Sequence, residues 1–192
     1  VTEKPTGEIS FGAGVGTSGG TFGGGIKENN FLGKGIKLDT NIAISQNAVK
    51  GQFIYAKPNF NYTENTLFTT LKSTSRDKLD ESGYKTSSLG FSLGTAFEQY
   101  ENLILKPELS TELESLKTTS AASANYKKQE GSYFDAYLNY SFDYDLRNQR
   151  FRASDGYRTT FYQELPIISE SNEIVNSFGA TKYQPLVSDM VG

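Results

Sequence analysis

The chain has 192 residues, enough for one domain or two small ones. A formal net charge of -3 argues against a nucleic-acid partner held by bulk charge. There is no cysteine and no histidine, which removes disulfides, thiolate metal sites, thiol nucleophiles and the commonest general base. Neither enzymatic chemistry nor a cofactor is expected.

Apolar runs are short, the longest being Phe53–Ala56, far below the roughly 20 residues of a membrane helix. A membrane protein built of strands stays open, because such strands are apolar on one face only. The chain starts at Val1 and shows no basic stretch followed by an apolar one. Either a leader has been removed or a longer polypeptide is expected.

In chain order the elements read as strands with a period of two. In the first, Ile9, Phe11, Ala13 and Val15 alternate with Glu8, Ser10, Gly12, Gly14 and Gly16. A weaker strand covers Thr21–Lys27. Eleven of the 19 glycines fall in the first 35 residues, so this first strand should be loosely held. Gly14-Val15-Gly16-Thr17-Ser18-Gly19 fits the dinucleotide pattern G-x-G-x-x-G. The Thr21–Gly25 stretch after it is poor helix material, however, and no helix N-terminus would face a pyrophosphate. Next, Ile36, Leu38, Thr40, Ile42 and Ile44 alternate with Lys37, Asp39, Asn41, Ala43 and Ser45. Weaker strands follow at Val49–Lys57 and Thr66–Lys72. Asp77, Asp80 and Glu81 lack the spacing of a calcium loop and read as a solvated tip.

Leu89, Phe91, Leu93 and Phe97 then alternate with Ser88, Gly90, Ser92, Gly94 and Ala96, and Leu103, Leu105, Leu109 and Leu113 with Asn102, Lys106, Glu108, Ser110 and Glu112. Glu112–Lys128 lacks a sustained apolar helical face and reads as loop. The cleanest strand is Tyr133–Leu146. Phe134, Ala136, Leu138, Tyr140, Phe142, Tyr144 and Leu146 make one face, and Asp135, Asn139, Asp143 and Asp145 stand on the other. Alternate residues lie about 6.6–6.8 Å apart. That spacing resembles paired glycosidase carboxylates, yet a polar row along a wet wall is the better reading. Tyr157–Ile168 and Ile174–Leu186 complete ten strands.

Nine connections carry turn chemistry. They are Ser18–Gly20, Asn29–Gly35, Gln46–Ala48, Pro58–Asn65, Thr74–Gly83, Glu98–Glu101, Ser115–Gly131, Arg147–Gly156 and Ser169–Asn172. The most polar and extended two, Thr74–Gly83 and Ser115–Gly131, follow the fifth and seventh strands. In an up-and-down meander both emerge on one side, as the longer loops of outer-membrane barrels do.

Alternation leaves two arrangements open. A soluble barrel or sandwich turns its apolar face inward, whereas a membrane barrel exchanges the faces. Strand length, a Gly/Ser-rich polar face, and Phe31, Tyr55, Phe60, Tyr62, Phe97, Tyr100, Phe142, Tyr144 and Tyr183 near strand ends favour the membrane. On that reading Phe134, Leu138, Tyr140 and Phe142 face lipid, and Asp135, Asn139 and Asp143 face the lumen.

Several segments carry a resemblance. Phe11–Gly19 followed by Lys27–Gly35 resembles the opening hairpin of the BamA-type outer-membrane assembly barrel, with an Asn-x-x-Gly-x-Gly stretch as its first periplasmic turn. Lys57-Pro58-Asn59-Phe60 is similar to the family's turn after the fourth strand, and Phe97-Glu98-Gln99-Tyr100 to that after the sixth. Asp143–Asn148 with Ser154-Asp155-Gly156-Tyr157-Arg158 resembles the turn after the eighth, with Ala153 where that family often has proline. Tyr183-Gln184-Pro185-Leu186 is similar to the end of the tenth strand. The C-terminal Asp189-Met190-Val191-Gly192 does not resemble the family's aromatic-ended last strand.

The resemblance implies an all-β, antiparallel, up-and-down transmembrane barrel. Residues 1–192 would be its N-terminal portion, a partial, open barrel of about ten strands from a parent of about sixteen. POTRA domains and the remaining strands would lie elsewhere in the parent. It further implies a bacterial outer membrane, and a parent that folds and inserts other barrels through a lateral seam. The seam strand would be Glu8, Ile9, Ser10, Phe11, Gly12, Ala13, Gly14, Val15 and Gly16, and it should stay unpaired with Ile174–Leu186. Implied partners are outer-membrane lipid, unfolded β-barrel clients, and, through domains outside this stretch, accessory assembly lipoproteins and periplasmic chaperones. A passive pore or secretion transporter of the same superfamily is the alternative, and a soluble β-rich binding module the third reading.

Overall fold

The computed structural model describes residues 7–16, 19–170 and 172–185. Period-two alternation becomes ten strands: β1 (Gly7–Gly16), β2 (Gly19–Phe31), β3 (Ile36–Ser45), β4 (Ala48–Lys57), β5 (Thr66–Lys78), β6 (Tyr84–Tyr100), β7 (Leu103–Thr118), β8 (Gly131–Asp145), β9 (Gly156–Ile168) and β10 (Val175–Tyr183). They form one antiparallel sheet in sequence order, β1 at one edge and β10 at the other. No ladder joins the two edges among the described residues, so the sheet is an open meander. Leu186 and 187–192 lie outside the described residues, as do Thr17, Ser18 and Ser171 in the first and last connections.

The register places like with like. Phe91 faces Leu71, and Leu109 faces both Leu93 and Leu138, while Ser92 faces Thr70 and Ser110. Cross-strand pairs of one kind therefore stack across neighbouring strands and build one apolar and one polar face.

The polar face is the sheltered one. Among the described residues no large side chain is fully buried, and the buried apolar ones are Ile36, Leu116 and Ala122, whereas Ser92 and Asn139 are buried polar ones. Phe11, Phe22, Ile42, Leu71, Phe91, Leu109, Phe134 and Phe178 are exposed on the other face. A cavity on the polar face takes its lining from β5 through β9, which means that the sheet curls with that face concave. A soluble sandwich buries the opposite face, so the arrangement is inverted relative to a water-soluble fold.

Strand ends differ from the sequence expectation; β2 runs on to Phe31 and β10 ends at Tyr183, and the hairpins of β5 to β7 change most. β5 runs on to Lys78, and only α1 (Leu79–Ser82) with Gly83 separates it from β6. β7 runs on to Thr118, and the segment before β8 holds a short α2 (Ala124–Lys128) in place of continuous loop. β6 reaches Tyr100, which narrows the next connection to Glu101–Asn102. At the ends of β5 and β7 the ladder continues through polar residues, with Arg76 facing Thr86, Lys78 facing Tyr84 and Lys85 facing Lys117, while the end of β6 continues past a register shift between Glu98 and Tyr100. Composition marks those residues as solvated, but a hairpin whose register is already set keeps adding backbone bonds beyond the apolar zone.

The expected difference in loop length between the two ends is correspondingly weak. The connection between β8 and β9 is longer than the one between β5 and β6. The asymmetry lies in the strands instead. β6 has 17 residues where roughly 9–11 span a bilayer, and its polar first turn of residues, Tyr84–Ser88, projects the surplus at one end.

Candidate functional site

Because every even strand ends on the same side, the meander collects nine strand-end and loop aromatics on one rim. Phe31, Tyr55, Phe97, Tyr100, Phe142, Tyr144 and Tyr183 sit at or near the ends of even strands, and Phe60 and Tyr62 in the connection from β4 to β5. Tyr144 meets Tyr157 edge-on at 6.0 Å, and Phe142 and Tyr140 both approach Phe161 at 6.3 Å.

The same rim carries two guanidinium clamps that the alternation did not reveal. Arg147 donates from Nε to Asp145 Oδ1 and from Nη2 to Oδ2, each at 2.7 Å. Arg158 donates to both oxygens of Asp143 at 2.8 and 2.6 Å. Two parallel charge-assisted bonds fix orientation as well as charge. Arg147 also lies over the Tyr183 ring at 5.9 Å, which ties the end of β10 to the turn before β9. Asn148 closes that turn, donating to Ser154 Oγ and accepting from the Ser154 and Asp155 amides. Gly156 sits at φ +97 with the Leu146 carbonyl oxygen where a Cβ would stand, so only glycine fits there. The first turn of this rim is closed by Asn30, whose Oδ1 accepts from the Gly35 amide at 2.6 Å.

The opposite rim is capped by folded connections. Tyr84 and Tyr126 stack at 4.2 Å, and Ser123 caps α2 by accepting from the Tyr126 amide. Thr119 donates to the Gly83 carbonyl through both its amide (2.8 Å) and its hydroxyl (3.3 Å). Glu130 receives the Thr118 hydroxyl at 2.8 Å and the Thr118 amide at 3.2 Å. Those two bonds, the hydroxyl first, hold its carboxyl below the usual glutamate range. Asp77 binds Lys85 at 2.8 Å and the Leu79 amide at 3.2 Å, so it anchors the hairpin tip.

The predicted seam strand is an edge. All ten residues of β1 pair with β2, from Gly7 with Glu28 to Gly16 with Gly19, and its outer side has no neighbour among the described residues. Ile9, Phe11 and Val15 are 66%, 87% and 92% exposed on the apolar face, and Ala13 lies with them. Glu8, Ser10, Gly12 and Gly14 stand on the polar face opposite Lys27, Gly25, Gly23 and Thr21. Nothing lies within 4 Å of a Cβ built on Gly12 or Gly14. Crowding therefore does not require glycine there, and weak packing is its consequence.

The residues expected to face lipid and lumen separate by face. Phe134 and Leu138 are exposed on the apolar face together with half-exposed Tyr140 and Phe142. Asp135, Asn139 and Asp143 share the polar face, facing Glu112, Glu108 and Ile104 in β7. Asp143 is bound to Arg158 and is a structural partner within the rim. Arg158 was hidden in sequence because it lies 15 residues away on another strand.

The fold is shared with a solved protein. It is similar to the crystal structure of BamA from Haemophilus ducreyi lacking POTRA domains 1-3, with a TM-score of 0.67 and 22% sequence identity over 92% of this chain. The chain spans 37% of that structure's length. Residues 30–191 match the Omp85 superfamily domain, a match that starts inside β2 and takes in every later strand. An open meander with its apolar face outward, one aromatic rim and this match agree, and the chain belongs to the Omp85 superfamily, with the fold of a BamA-type partial barrel.

Proposed function

We propose that the parent protein assembles β-barrel proteins in the bacterial outer membrane, and that β1 is the strand its clients pair with. The observation that carries this reading is that the outer side of β1 has no neighbour among the described residues, beside an apolar face that would meet lipid. An unpaired strand edge is a template for another strand, and in hydrocarbon every backbone group must find a partner. A client strand arriving from the lumen or the lipid would gain a ladder along Glu8–Gly16 without any covalent step. The glycines of β1 and β2 leave that edge thinly packed, so it can peel and re-pair at low cost. Phe134, Leu138, Tyr140 and Phe142 contact lipid in this reading, and Asp135, Asn139 and Asp143 the lumen. Accessory lipoproteins and chaperones would act through domains outside this chain.

The test is disulfide or photochemical crosslinking in the full-length parent from Ser10 or Gly12, each replaced by cysteine, to a nascent barrel. Adducts with the client at these positions and none at β5 controls support the role. Normal controls with no client adducts at β1 would remove it and favour a pore or secretion transporter.

A further inference from the structure

Left-handed backbone outside glycine gathers on one rim. Among the described residues, positive φ falls on Leu32, Asn59, Asn61, Tyr62, Asn102 and Arg152, and every one lies in a connection that leaves an even strand. The opposite rim meets the same need with Gly19 and Gly83, which have no Cβ to crowd the next carbonyl. Leucine and tyrosine are costly choices for that conformation, so something beyond turn geometry keeps them there.

These turns also push apolar side chains outward. Leu32 is 71% exposed, Phe151 78% and Tyr62 fully so, one in each of the connections after β2, β8 and β4. The short connection after β6 follows directly on Tyr100, itself exposed. The three tips lie beyond the strand-end aromatics, where the chain has left the sheet. On the opposite rim, among the described residues, the connections after β5 and β7 expose one large apolar side chain, Tyr126, and its ring is stacked on Tyr84.

Cations accompany the tips. Lys57 Nζ stands 5.6 Å from the Phe60 ring, in the connection that carries Tyr62, and the Arg152 guanidinium 5.5 Å from the Phe151 ring. Lys34 follows shortly after Leu32. Glu64 and Asp155 share these turns, yet Lys34, Lys57 and Arg152 enter no ion pair among the described residues. A lone exposed apolar residue is ordinary. An apolar tip in turn after turn, each with a cation at hand, is the amphipathic pattern of chain that meets a membrane interface. Successive even strands are about 10 Å apart, so the tips are spread along the rim and form no single patch. A protein partner needs a contiguous patch, whereas a membrane surface passes every turn of a barrel rim at one depth.

We propose that these turns grip the phospholipid headgroup layer beside this rim. Leu32, Tyr62 and Phe151 reach the acyl boundary, and Lys34, Lys57 and Arg152 bind lipid phosphate. The proposal rests on the chain being part of an outer-membrane barrel with its convex face in lipid, and it adds a lipid contact outside the membrane-spanning strands. Burial of the tips offsets the cost of their left-handed backbone, and the row of tips sets the depth at which the rim sits.

A bimane fluorophore is attached to a cysteine placed singly at Leu32, Tyr62 or Phe151 in the full-length parent, in vesicles of phosphatidylethanolamine and phosphatidylglycerol. Asp80 on the opposite rim and Leu71 on the convex face serve as water and hydrocarbon controls. Lipids brominated close to the headgroup should quench the three tips several-fold more than Asp80, and lipids brominated deep in the acyl chain should quench Leu71 most. Reversing one charge, Lys57→Glu or Arg152→Glu, should move the tip of its own turn about fivefold toward water and leave Leu32 unchanged. Quenching at Leu71 in the same variants reports that the barrel has folded. Tips quenched no more than Asp80, beside a quenched Leu71, would overturn the proposal and leave the barrel reading standing. Tip quenching indifferent to both reversals would overturn it too. No quenching at Leu71 in the otherwise unaltered parent would overturn the barrel reading and the proposal together.

Discussion

At the scale of single residues, glycine positions separate structure from activity. Gly156 has φ +97 and a carbonyl oxygen where its Cβ would be. Gly156→Ala should cost roughly 1–3 kcal/mol through backbone strain alone, read as a lower thermal midpoint of the barrel. Nothing lies within 4 Å of where a Cβ on Gly12 would stand, so Gly12→Ala should fold as well as the parent, or better by about 0.4–1 kcal/mol. If looseness of the edge is what clients use, the same variant should assemble them more slowly. Equal assembly rates would separate glycine content from function. Glu130 is the residue-scale pH probe. Its folded-state pKa is depressed by Thr118, so its contribution is complete above the ordinary glutamate value and is lost as pH falls below it through the depressed one. Protection of the Thr118 amide against hydrogen exchange should drop across that acidic window, and Glu130→Gln should abolish the pH dependence.

At the scale of elements, each strand has a side that tolerates charge and one that does not. Leu109 is 54% exposed on the convex face, a position where a soluble fold would accept arginine. In a bilayer, Leu109→Arg near the midplane should cost roughly 2–4 kcal/mol, while Ser110→Arg on the next residue should cost far less. Folding of the two parent variants into lipid vesicles, followed by heat-modifiable migration on gels, distinguishes them; equal cost would rule out a lipid-facing β7. The clamp on β8 makes a different prediction. Arg147 holds Asp145 and lies over Tyr183, so Arg147→Ala should release the end of β10. Faster hydrogen exchange from Thr181 to Tyr183, with the middle of β8 unchanged, is the expected pattern.

For the whole molecule, the consequence of the open meander is that the sheet, among the described residues, has two free edges and an apolar outer surface. The exposed apolar residues run from Ile9 to Phe178 across all ten strands, far beyond the few hundred Å² that soluble monomers expose. Neither water nor lipid suits this form alone, since water meets the apolar face and lipid meets unpaired backbone. The isolated chain should therefore fail to give a monodisperse, heat-modifiable monomer in detergent or vesicles, and should associate through β1 or β10. Sedimentation and hydrogen exchange at the edges would show it; a stable isolated monomer with both edges protected would mean that the edges close on each other.

The sequence by itself determined the strands, their order and their two faces. A period of two survives any arrangement of its neighbours, because side-chain alternation is a property of the extended backbone. The strand Tyr133–Leu146 and the glycine-rich Glu8–Gly16 were legible in this way. Three things needed the tertiary structure. Which face is concave depends on how ten strands curl together, and alternation is identical for both answers. The ends of β5 and β7 depend on hairpin register, since polar residues pair along an existing ladder although their composition suggests loop. The partnership of Asp143 with Arg158 depends on residues far apart in the chain meeting across strands. Distance along the sequence carries no record of that meeting; the register does.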